Sequence, residues 1–237
     1  MHLCKKVLIL CSLLVSTWAC NQACAEALDR LKEVEVGGYS SARVQQNRHG
    51  KTEAAIDEVS LIFKWDNQDR VKLFAEIELE NPLSWREGGA LRSNKSYLDV
   101  ERLYLDYAFN DQVNLRAGRF LTPVGRWNLL HAAPLVWTTS RPVATSRLFP
   151  MSLNGMMLHG SKPFEDAALE YSVFAETLKD QDADAYEIRF KNARGARVLY
   201  SGLIDIGATV MEFDENDLIK REYRMLSLDF IKSYQGW

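Results

Sequence analysis

Cysteine is missing from almost the whole chain. The four present, Cys4, Cys11, Cys20 and Cys24, all lie within the first 25 residues. From Glu26 onward there is no disulfide framework, no thiolate nucleophile and no sulfur metal site. An excess of positive charge is missing too: the formal net charge is -3 and no compact Lys/Arg block occurs, which argues against nucleic acid as a partner. No apolar run reaches about eighteen residues, so no single helix is expected to cross a bilayer. There is no G-x-S-x-G, no H-E-x-x-H and no phosphate-binding glycine loop. With no constellation of nucleophile, base and acid, the expectation is a protein that is not an enzyme and needs no cofactor.

What is present begins at the N-terminus. Lys5 and Lys6 precede an apolar run from Val7 to Val15, and Ala23-Cys24-Ala25 fits a small-x-small cleavage site. This reads as a signal peptide over 1–25, cut before Glu26. Residues 26–237 then form one domain of sufficient size for a sizeable core. Loss of Lys5 and Lys6 takes the formal charge from -3 to -5.

The rest is a procession of strand-like runs. In Arg70–Glu80, Val71, Leu73, Ala75, Ile77 and Leu79 alternate with Lys72, Phe74, Glu76, Glu78 and Glu80. That period of two marks a sheet with one apolar and one wet side. Similar runs cover 34–46, 57–65, 98–109, 113–121, 152–160, 167–177, 185–200, 203–213 and 221–234. Most exceed the roughly five or six residues common in globular sheets and approach the roughly nine to eleven of tilted membrane-crossing strands. Breaks at 66–69, 110–112, 164–166 and 201–202 are short, whereas 81–97, 122–150 and 178–184 are longer. Aromatic residues such as Trp65, Phe109, Phe120 and Tyr200 fall near run ends. Together these features predict an all-β fold, an antiparallel transmembrane β-barrel of about ten strands. The wet-face residues Lys72, Glu76, Glu78, Glu80, Arg102 and Asp106 then become lumen-facing candidates. The long break after Leu121 holds Arg126, Arg141 and Arg147; with Arg116 and Arg119 these are the pore or constriction candidates, and basic groups there favour anions. His49, His131 and His159 are isolated imidazoles, and the acidic residues lack a loop of oxygen ligands, so no metal site is expected.

One stretch carries a resemblance. LRAGRFLTPVGRWNLLHAAPLVWTTSRP, residues 115–142, with ERLYLDYAF upstream at 101–109, is similar to bacterial outer-membrane porins of the phosphate-selective porin-like group. EYRMLSLDFIKSYQGW, from Glu222, resembles an interior barrel segment. The resemblance implies a larger closed barrel, commonly of about sixteen strands, often a homotrimer, embedded in outer-membrane lipid and passing small hydrophilic solutes. It transfers only Arg116, Arg119 and Arg126, as basic residues of pore or loop. A chain with about ten strands then closes as a smaller barrel, is a truncated member, or needs partners. The expected function is a porin-like channel in the outer membrane of a Gram-negative bacterium. The rival readings are a non-conducting barrel of structural or adhesive role and a soluble periplasmic β-sandwich binding module.

Overall fold

A computed structural model describes residues 34–46, 50–93, 96–126, 128–129, 148–178, 190–215 and 221–232. They form ten strands, all antiparallel and in sequence order across one sheet. These are β1 Val34–Gln46, β2 Thr52–Asp66, β3 Val71–Arg86, β4 Tyr97–Asn110 and β5 Val113–Leu121. The second half comprises β6 Ser152–Pro163, β7 Ala168–Glu176, β8 Phe190–Ser201, β9 Asp205–Glu215 and β10 Arg221–Ile231. The signal-peptide residues lie outside the described part of the chain.

The alternation of the sequence becomes the two faces of the sheet. Leu61, Leu79, Leu105, Leu158, Val173, Val198, Leu228 and Phe230 stand exposed on one face. The intervening residues occupy the other, where Glu76 and Phe120 are both fully buried. The short turns are made by side chains that replace ladder bonds. Asn67 Oδ1 accepts from the amides of Asp69 and Val71, and Asn110 Oδ1 accepts from those of Gln112 and Val113. Such local bonding is what Asn and Asp contribute to tight turns. Register shifts at Ser41/Ala42, Ile56/Glu58, Glu76/Ile77, Ala108/Asn110 and Lys191/Arg194 interrupt the pairing. Each inserts a residue and resets which neighbours meet.

The barrel expected from the sequence is not formed. Among the described residues β1 pairs with β2 alone and β10 with β9 alone, so the sheet is open at both ends. No closed wall surrounds a lumen. Open edges leave rows of backbone N–H and C=O groups without ladder partners, which hydrocarbon does not tolerate. Alternation and strand length are equally compatible with open and closed sheets, and closure is the step they did not determine.

The core lies on the polar face of β5–β9. Phe120, Leu153, Met157, Phe174, Ala193, Met211 and Phe213 pack there with Val124 and Phe149, which come from the two ends of the long β5–β6 connection. Gly118 makes this close packing of β4 and β5 possible. Its φ is +129°, and a Cβ there would meet Leu103 O at 2.2 Å. Only glycine accepts both conditions.

Candidate functional site

The most elaborate arrangement on the sheet is a stack on the polar face of β3–β5. Register sets Glu76 opposite Arg102, Phe74 opposite Tyr104, and Asp106 opposite Arg116. Arg102 Nε donates to Glu76 Oε2 at 2.5 Å, and its guanidinium lies 4.6 Å from the Phe74 ring. Phe74 stacks on Tyr104 with centroids 5.2 Å apart and planes 9° apart. Arg116 covers the far side of Tyr104 at 3.7 Å. Two rings are thus held between two cations, an attraction that strengthens as water is excluded.

Carboxylates close the stack at both ends. Arg116 donates from Nε and Nη2 to the two oxygens of Asp106, each at 2.7 Å. This two-pronged pairing is the strongest form available to a carboxylate. His159 Nε2 approaches the same carboxylate at 3.6 Å. Burial alone would raise the Asp106 pKa, but Arg116 and His159 outweigh it and hold the carboxyl below its usual range. At the other end Glu76 Oε1 accepts from Ser60 Oγ and Tyr39 Oη, both at 3.3 Å, and Tyr39 Oη also reaches Glu78 Oε1 at 2.7 Å. Burial, then its bond to Glu78, raises the Tyr39 phenol above its ordinary value.

Beside the stack the charges are all of one sign. Glu58 faces Glu80 across β2–β3, and Glu78 faces Asp99 across β3–β4. Like charges directly opposite one another repel. Single oxygens of Glu58, Glu78 and Glu80 lie within 4.8 Å of each other, which makes them the group that could hold a cation among the described residues. Burial, followed by Glu78, Glu58, Asp99 and Glu101, lifts the Glu80 pKa from 4.5 to about 7.

The second half of the face is organised by Arg197. It donates from Nη1 to Thr209 Oγ1 and from both terminal nitrogens to Asp229, at 2.8–3.0 Å. Thr209 Oγ1 in turn donates to Pro123 O at 3.1 Å, so the start of the β5–β6 connection is pinned over β9. Arg126 reaches Asp205 at 3.0 Å, and Asn128 Nδ2 donates to Thr122 O and Met151 O. The described start of the long connection therefore folds inward, over the polar face.

The residues singled out from sequence are distributed unevenly over this arrangement. Glu76, Glu78, Glu80, Arg102, Asp106 and Arg116 share one face and form the network above. Lys72 belongs to that face but is largely exposed and pairs with Asp66 at 2.9 Å. Arg119 stands on the opposite, apolar face, in register with Leu103 and Asn154. Arg126 pairs with Asp205 as a local clamp. Arg141, Arg147 and His131 lie outside the described residues. Tyr39, Ser60, Arg197 and Asp229 were not legible as site residues, because their roles arise from cross-strand register. His159, isolated in sequence, is brought to Asp106 by the pairing of Asn114 with His159.

No protein-family model matches the chain. It is 35% identical over 133 residues to an uncharacterized protein of Aquifex aeolicus (strain VF5), a match covering 54% of this chain and 29% of that protein. The chain thus spans less than a third of the relative's length. The porin resemblance gains no support from these comparisons and is contradicted by the open sheet. With it fall the channel function, the outer-membrane placement, and the lipid, solute and homotrimer partnerships. Each required a closed wall with lipid outside and water inside, and β1 and β10 do not join to make one.

Proposed function

We propose that this chain is a non-catalytic β-sheet binding module that forms one layer of a two-layer β assembly. The observation that carries the reading is the contrast between the two faces. Leu105, Leu158, Val173, Leu228 and Phe230 are exposed on one face, and Phe230 keeps 80% of its surface. The alternate positions bury charges as completely as Glu76, at 0%. A contiguous apolar area of this kind marks an interaction surface. Sheets cover such faces by stacking on a second sheet about 10 Å away, with the two inner faces interdigitating. The partner to which we commit is a second copy, whose identical face closes the stack by twofold symmetry. The polar face then remains available for ligands.

Sedimentation equilibrium of the purified chain in detergent-free buffer tests this. The expected result is a folded species of twice the chain mass, reduced to one chain mass by the double substitution Leu105→Lys and Leu158→Lys. A folded monomer of the unaltered chain, or a chain that folds only with lipid or detergent, would overturn it.

A further inference from the structure

At the long-loop end of the sheet lies a cavity of about 550 Å³ lined by β1, β2, β3 and the start of the β3–β4 connection. Its size falls in the range of small-molecule sites, roughly 300–1,000 Å³. Its construction follows from register. Gly88, at φ +76°, and the bond from Gly89 N to Arg86 O turn the chain back on itself. Arg92 then pairs with Ser84 through two backbone bonds of 2.7 and 2.8 Å. The result is one row across four neighbouring segments: Arg43, Ala55, Ser84, Arg92.

The chemistry of that row is asymmetric. Two small side chains make the floor and two arginines make the walls. Lys51 joins them on the rim. The carboxylates lining the cavity are already engaged. Glu53 accepts from Arg86 at 2.5 Å and from Gln45, and Glu87 accepts from the Thr52 amide at 3.0 Å. Arg43 uses Nε toward Asp57 at 3.3 Å, which leaves its terminal nitrogens for the cavity. Among the described residues no ion pair occupies Lys51 or Arg92.

We propose that this cavity binds a small organic polyanion carrying at least two separated carboxylates. The two walls stand three strand spacings apart, about 14 Å between backbones. Guanidinium forks reaching inward from opposite sides match two separated planar carboxylates better than one compact charge. Ala55 and Ser84 are small enough to leave room between the walls, and the Ser84 hydroxyl donates to Arg92 O at 3.5 Å, tying the Arg92 wall to the floor. The cavity lining includes none of Leu105, Leu158, Val173, Leu228 or Phe230, so the inference stands independently of what covers those residues.

The test is calorimetric titration of the full chain at low ionic strength with citrate, with inorganic phosphate and acetate as comparison ligands. Citrate is expected to bind at least tenfold more tightly than either. Arg92→Gln and Arg43→Gln, both at exposed positions, are each expected to weaken citrate at least tenfold. Ala55→Leu fills the floor without altering charge and is expected to abolish binding, whereas Lys162→Gln, which removes an exposed cation away from the cavity, is expected to leave it intact. No citrate binding, equal binding of phosphate or acetate, or undiminished binding in Ala55→Leu would overturn the proposal, the last by reducing it to general electrostatic attraction.

Discussion

The two halves of the polar face bury their residues by different means. Across β2–β5 the covered groups are charged: Glu76 and Glu78 are buried, and Arg102 and Arg116 are largely so, with Glu76, Arg102 and Arg116 held by opposite charges or rings and Glu78 by the Tyr39 hydroxyl. Across β5–β9 they are mainly Phe120, Phe174, Met211 and Phe213, covered by Val124 and Phe149 of the long connection, with Arg197 and Thr209 as a buried polar pair among them. The strands are built alike, and the difference lies in what lies over them. Where a segment of chain supplies apolar cover, an apolar core forms. Where no described segment does, the face is filled by side chains that satisfy one another. Directional pairing dominates the β2–β5 half and hydrophobic burial the β5–β9 half, so the two should respond differently to truncation, salt and pH.

The largest expected effect falls on the apolar half. Phe174→Ala removes a ring that is 2% exposed and should cost about 3–5 kcal/mol by denaturant unfolding, with little dependence on salt. On the charged half, Arg102→Ala strands the fully buried Glu76 carboxylate and should cost about 3 kcal/mol. A double-mutant cycle with Glu76→Gln should recover much of that loss, because it removes the stranded charge. Equal, salt-independent losses without recovery would erase the distinction between the halves. At the boundary between them, Gly118→Ala should destabilise by more than about 1 kcal/mol, since its Cβ would collide with backbone at Leu103.

The smallest effect depends on pH. The Glu80 carboxyl is raised in the folded state from 4.5 to about 7. The folded chain therefore holds a proton that the unfolded chain releases between those values. Stability from this group is full below about pH 4.5, falls as pH rises, and levels off above about 7. Glu80→Gln should raise the melting temperature relative to the parent at pH 8 and match it at pH 4.5. A pH-independent difference would show that the facing carboxylates do not govern Glu80.

Much of this architecture is legible in the sequence because alternation is a local property. Val71–Leu79 against Lys72–Glu80 places the two faces of β3 correctly, and Asp106 and Arg116 fall on one side together. The end of β3 is less legible: Asn81-Pro82 reads as a break, yet Asn81 takes φ 50° and the strand continues to Arg86, pairing Leu83 with Ile56. Which charges meet is set by bulges such as Ile56/Glu58 and Glu76/Ile77, each of which shifts partners by one residue without a sequence signature. Arg119 shows the same limit. Grouped with Arg116 by charge and proximity, it faces the other way because a strand reverses direction at every residue. Closure is the least legible feature, since it concerns β1 and β10, the two strands farthest apart along the chain.

Thiol accessibility on the apolar face tests the central claim most directly. Single cysteines replacing Leu105, Leu158 and Leu228 in the chain from Glu26 onward would be exposed to a bulky, charged maleimide in detergent-free buffer. A stacked second layer predicts that all three are protected and become reactive when Leu103→Lys disrupts the face. Immediate labelling of the undisrupted chain, or protection that appears only when lipid is added, would contradict the account.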